Sequence, residues 1–67
     1  MEYRINGHFA DKWASSQHKD VAAGPLPKWG DMVSLTRDGQ AVPMRVTAIW
    51  RSTEESGSRI TVEAQEV

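Results

Sequence analysis

The stretch Met32-Val33-Ser34-Leu35-Thr36-Arg37-Asp38-Gly39-Gln40-Ala41-Val42-Pro43-Met44-Arg45-Val46-Thr47-Ala48-Ile49-Trp50-Arg51 decides the fold. At its centre stands Asp38-Gly39. This dipeptide suits a two-residue type I′ hairpin, in which both central residues take positive φ. A turn there sets Arg37 opposite Gln40, Leu35 opposite Val42 and Val33 opposite Met44. The apolar residues of both strands then share one face, and a slip of one residue would destroy that agreement. On the second strand Val42, Met44, Val46, Ala48 and Trp50 alternate with Pro43, Arg45, Thr47, Ile49 and Arg51. A period of two marks a strand with one buried side. Pro43 lacks an N–H for a ladder and belongs at an edge or a bulge.

Downstream, Ile60, Val62 and Ala64 alternate with Thr61, Glu63 and Gln65, across a polar loop from Ser52 to Ser58. Pairing Trp50 with Ile60 places Ala48 opposite Val62 and Val46 opposite Ala64, again with one apolar face. The expectation is a three-stranded antiparallel meander. Its core comprises Val33, Leu35, Val42, Met44, Val46, Ala48, Trp50, Ile60, Val62 and Ala64.

Upstream of Pro25-Leu26-Pro27 the patterning weakens, so residues 1–27 form an N-terminal segment of the single domain and 28–67 its β-meander. Asn6-Gly7 reads as a second type I′ turn. It puts Tyr3 and Ile5 on a face with His8 and Ala10, and Phe9 on the other. Residues 12–23 read either as a short helix, N-capped by Asp11 and stopped by Gly24, or as a loop with one turn of helix. The fold class is mostly β, a small antiparallel meander with that one short helix as an option. The runner-up is a sheet packed on the helix.

The segment Lys28-Trp29-Gly30-Asp31-Met32-Val33-Ser34-Leu35, with Gly39 and Pro43-Met44-Arg45-Val46-Thr47-Ala48-Ile49, resembles the short bacterial domains of the YodC-like type. In these a Gly-Asp-x-Val-x-Leu strand precedes a glycine-containing turn and a Met-x-Val strand. The resemblance spans roughly a third of the chain. It implies a small, partly open SH3-like barrel and no established activity. KOW-type domains open on a similar strand and bind RNA, but this chain lacks their basic excess. Plasmid-encoded trimethoprim-resistant dihydrofolate reductases carry a Val-Gln-Ile-Tyr strand where this chain reads Arg59-Ile60-Thr61-Val62-Glu63.

Sixty-seven residues with net charge -1 and no cysteine narrow the function classes. One small domain is expected. Disulfides and thiolate zinc are impossible, and no apolar run nears the roughly 20 residues of a membrane helix. The Met-Glu-Tyr-Arg start has no apolar stretch behind it, which reads as cytoplasmic. A chain this short gains little from its core alone, which leaves room for homo-oligomers.

Chemistry-bearing residues are sparse. His8 and His18 match no metal-ligand spacing and read as a turn-flanking and a solvated side chain. Ser15, Ser16 and Ser34 lack a nucleophile context, Glu54-Glu55 reads as a solvated pair, and the glycines form no phosphate loop. No cofactor, metal site or catalytic residue is expected, and the chain does not read as an enzyme. An active site assembled only in an oligomer is the remote alternative.

The arginines and tryptophans stand out. Arg45 and Arg51 share the polar face of the long strand, and the register sets Arg51 opposite Arg59, with Glu54 and Glu55 able to neutralise them. Trp29 reads as a cover for one barrel end, while Trp13 is evenly divided between core and surface. Arg45, Arg51, Arg59, Trp13 and Trp29 are therefore the candidate partner-binding residues. They suit a small non-catalytic accessory or regulatory protein, of the kind phages and mobile elements encode. The expected partner is an acidic protein surface. From Asp31 onward four basic side chains face six acidic ones, a balance that repels a polyanion and ranks nucleic acid second.

Overall fold

A computed structural model describes residues 2–54 and 57–67. Five strands follow one another: β1 (Tyr3–His8), β2 (Ser16–Val21), β3 (Met32–Arg37), β4 (Gln40–Glu54) and β5 (Gly57–Glu66). They form one sheet in the order β2-β1-β5-β4-β3, curled into a half-barrel. Strands β3, β4 and β5 make the expected antiparallel meander. The sheet as a whole is mixed, because β1 joins β5 in parallel, Ile5 beside Val62 and Gly7 beside Ala64.

The deciding hairpin is as its sequence dictates. Arg37 pairs with Gln40, Leu35 with Val42 and Val33 with Met44. Asp38 and Gly39 carry φ of 52° and 78°, the doubly positive pair of a type I′ turn.

The N-terminal reading needs correction. Asn6-Gly7 is no turn; both residues lie inside β1. Tyr3, Ile5 and Phe9 therefore all face the core, with Gly7 between them. Gly7 is small for a packing reason. A Cβ there would lie 2.2 Å from Leu35 Cδ1 and 2.5 Å from Met44 Sδ. No helix occurs among the described residues, and 16–21 form β2 instead. Asp11 does not cap a helix. Its Oδ1 accepts the N–H groups of Trp13 at 3.1 Å and Ser15 at 3.0 Å. Ala14 takes φ 51°, and Phe9 N–H donates to Ser15 O at 2.8 Å. The result is a tight reversal into β2, with Ser and Asp chemistry favouring the turn over the helix.

The second correction lies in β4. Val46 pairs with Ala64 as expected, but Ala48 pairs with Glu63, so Thr47 is an extra residue, a β-bulge. Downstream every partner moves by one: Ile49 faces Val62, Trp50 faces Thr61, Arg51 faces Ile60 and Ser52 faces Arg59. Because side chains alternate, one inserted residue exchanges the two faces beyond it. Trp50, expected in the core, is 46% exposed, and Ala48 is only half-buried. Arg51 does not oppose Arg59. Nor is Ser52–Ser58 a loop, since β4 runs to Glu54 and β5 starts at Gly57; Glu55 and the Glu54 side chain, expected to neutralise the arginines, lie outside the described residues.

The core that remains is Tyr3, Ile5, Phe9, Leu35, Met44, Val46, Val62 and Ala64, with Val33, Val42 and Ile60 packed against it. Leu35, Met44, Val46 and Val62 are fully enclosed, each contributing about 1.5–3 kcal/mol of transfer free energy. The curl is fastened where β2 approaches β3. Gln17 Nε2 donates to Thr36 O at 2.9 Å. Arg37 pairs with Asp11 Oδ2 at 3.0 Å, and its guanidinium lies 4.3 Å from the centroid of the Phe9 ring.

Candidate binding face

The side of the sheet away from the core is built by alternation. Arg4, Asn6 and His8 on β1 lie beside Thr61, Glu63 and Gln65 on β5. His18 and Asp20 on β2 face Asn6 and Arg4. The bulge adds Trp50 and Ser52 from β4, next to Thr61 and Arg59. Together Arg4, Asn6, His18, Trp50, Ser52, Arg59 and Thr61 line a shallow depression of about 200 Å³. It leads at Arg59 into a larger cleft of about 510 Å³, between Glu2, Tyr3, Asp20 and Val21 on one side and Gly57 and Ser58 on the other. That cleft exists because β1 and β5 pair only from Arg4–Thr61 onward.

The bulge that turns Trp50 outward is held by the segment before β3. Lys28 N–H donates to Asp31 Oδ2 at 2.9 Å, and Asp31 N–H to Lys28 O at 3.0 Å. Gly30, at φ 87°, supplies the positive φ of this turn. The turn delivers Gly30 N–H to Val46 O at 2.9 Å and Asp31 O to Val46 N–H at 2.9 Å. It also aims the Trp29 indole N–H at Thr47 O, 2.8 Å away. The carbonyl that the bulge pushes out of the ladder is thereby satisfied.

Charge on this face is organised in pairs. Arg4 Nε donates to Asp20 Oδ1 at 2.7 Å and Nη2 to Oδ2 at 3.3 Å. The Arg4 hydrogen bond, helped by the positive charge of Arg4, Arg59 and His18, holds the Asp20 carboxyl below its ordinary value. Glu63 accepts from Asn6 Nδ2 at 3.3 Å and meets His8 Nε2 at 3.2 Å. Away from this face, Asp11 is lowered to about 2, first by the backbone N–H of Ser15 and then by the Ser15 hydroxyl and Arg37. Among the described residues no group of three His, Asp or Glu side chains is placed to hold a metal ion.

The expected binding residues are dispersed. Arg59 lies in the depression and Arg45 on the same face, beside Gln65. Arg51 falls on the opposite side because of the bulge. Trp29 does not close a barrel end; it is 75% exposed while holding Thr47. Trp13 is 76% exposed in the β1–β2 connection, with Lys12 Nζ 4.9 Å from its ring centroid. Sequence reasoning missed Arg4, Asn6, His18, Ser52, Thr61 and Trp50 as members of the face. The signal for β1 was present: Arg4, Asn6 and His8 alternate with Tyr3, Ile5, Gly7 and Phe9, provided Gly7 is read as a small core residue.

Compared with protein-family models, with curated proteins and with solved structures, the chain matches none. The resemblance to YodC-like domains therefore rests on the Gly-Asp strand, the Gly39 turn and the Met44-Arg45-Val46 strand, and the structure bears out its coarse content, a small curled β-sheet.

Proposed function

We propose that the chain is a small SH3-like, non-catalytic binding module whose outer face docks a protein partner. The observation that carries this reading is Trp50, half exposed beside Arg59 in a depression also lined by Arg4 and His18. Tryptophan and arginine are the side chains most enriched at binding hot spots. An aromatic surface ringed by donors suits carboxylate-bearing protein surfaces. The depression is shallow and open, a shape that favours macromolecular contact over enclosure of a small substrate.

The test is capture of the partner on the intact chain, followed by affinity measurement with Arg59→Ala and Trp50→Ala. Each variant is expected to weaken binding at least tenfold, while Lys12→Ala, remote from the face, leaves it unchanged. Equal affinities for all three would refute the assignment. A second reading, single-stranded nucleic acid stacked on Trp50, draws on the same ring and on Arg59. Tight oligonucleotide binding that falls steeply between two salt concentrations would put that reading first.

A further inference from the structure

We propose that two copies of this chain pair through the open edge of β4, antiparallel about a two-fold axis at Trp50, extending the two five-stranded sheets into one. β4 spans Gln40–Glu54, yet β3 accompanies it only from Gln40 to Arg45, with Gly30 and Asp31 bonding Val46. Trp29 then ends that side at Thr47 O. Main-chain groups alternate in direction along a strand. Counting on from Thr47 by twos, Ile49, Arg51 and Thr53 direct N–H and C=O away from β5. Among the described residues no backbone group bonds them on that side.

Three observations favour a second copy. First, this edge lacks the usual protection. β2, the other long edge, reads Ser16-Gln17-His18-Lys19-Asp20-Val21, polar except for Val21, which packs against the core, and is tied to β3 by Gln17. Ala48-Ile49-Trp50-Arg51-Ser52-Thr53 carries one charge and no proline, and Ile49 and Trp50 are exposed, one on each side of the strand. Such a strand is a template for pairing. Second, beyond the reach of β1 and β3 the β4–β5 hairpin is a two-stranded ribbon, marginal on its own in water; a third strand supports it. Third, the segment is self-complementary with the axis at Trp50. Trp50 opposite the partner's Trp50 sets Ile49 against the partner's Arg51 and Ala48 against the partner's Ser52. No like charges oppose, and both Ile49–Arg51 pairs exchange main-chain hydrogen bonds. Moving the axis to Arg51 would instead oppose two arginines. The arrangement is isologous and closed. It leaves both Arg59 side chains on one continuous outer face, so it stands or falls independently of what that face binds.

The test is sedimentation velocity of the full chain over a hundredfold concentration range, with two variants. Arg51→Pro removes an N–H that points only to the open edge, so the monomer retains its ladder to β5. It is expected to weaken dimerisation at least tenfold while the far-UV spectrum and cooperative melt at low concentration persist; Ile49→Pro, which removes the N–H that meets Arg51 O of the second copy, serves the same purpose should the first fail to fold. Trp50→Cys, in a chain with no cysteine, is expected to form a disulfide-linked dimer on mild oxidation. The facing non-hydrogen-bonded pair brings the Cα atoms within disulfide reach. A monomer at every concentration overturns the proposal and leaves the edge to a strand from another protein. A dimer indifferent to both proline variants overturns it in favour of another surface.

Discussion

Replacing Gly7 with alanine tests the packing that defines the inside of the sheet. The added methyl would sit 2.2 Å from Leu35 Cδ1, 2.5 Å from Met44 Sδ and 3.1 Å from Met44 Cε. Comfortable carbon contacts are about 3.5–4.0 Å, so two side chains must each give by about an ångström. Both are fully enclosed, so neither can swing out into solvent. Overpacking of this kind costs about 1–3 kcal/mol. Gly7 is absent from the positive-φ positions, so alanine recovers about 0.5–1 kcal/mol of backbone entropy. The net expectation is a loss of about 1–2 kcal/mol. For a domain of this size each kcal/mol lowers Tm by about 4–8 °C. The assay is urea unfolding followed by tryptophan fluorescence and circular dichroism, with Gly7→Ala compared against the parent at equal m-value. A double-mutant cycle with Leu35→Ala sharpens it. The alanine methyl then enters space vacated by leucine, giving a favourable coupling of at least about 0.5 kcal/mol. Unchanged stability in Gly7→Ala, or strict additivity in the cycle, would refute the placement of β1 against Leu35 and Met44.

Three further outcomes follow from the same geometry. Trp50→Ala leaves a cooperatively folded chain with a loss below about 1.5 kcal/mol, whereas Leu35→Ala loses about 2–5 kcal/mol; thermal melts of the two compare them directly. Trp29→Phe keeps an aromatic ring, though a smaller one, and deletes the indole N–H that serves Thr47, costing about 0.5–1.5 kcal/mol in chemical denaturation. Asp11 has its folded value depressed from 3.8 to about 2. Its contribution is therefore complete above its unfolded value and is lost as pH falls through the folded one. Tm is expected to drop between about pH 4 and pH 2, and Asp11→Asn to start lower and flatten that part of the profile.

The sequence speaks clearly wherever turn chemistry and side-chain alternation agree. Asp38-Gly39 is such a place, and its hairpin follows residue for residue. Reading fails where a glycine has two meanings. Gly7 after Asn6 satisfies a turn rule, yet here it answers a steric demand from Leu35 and Met44, partners that arrive from strands far along the chain. The β4 bulge is hidden for a related reason. Val46-Thr47-Ala48-Ile49-Trp50 fits two registers almost equally, because Ile49 and Trp50 are both large and apolar. The bulged register is the one in which Trp29, from a preceding turn, meets Thr47 O. The exposed Ile49 was the local hint, the one apolar residue on the otherwise polar side. The candidate face inherits both difficulties: Arg59 and Arg45 were legible, while Arg4, His18 and Trp50 become neighbours only through the parallel β1–β5 pairing and the bulge.

The most direct test is a nuclear Overhauser measurement between facing α-protons of β4 and β5 in the isotope-labelled chain. The bulged register turns Trp50 outward and so founds both the binding face and the open edge. It predicts strong contacts between the α-protons of Ile49 and Val62 and between those of Arg51 and Ile60. Contacts of Ala48 with Val62 and of Trp50 with Ile60 would instead describe an unbroken ladder with Trp50 in the core, and would contradict the account.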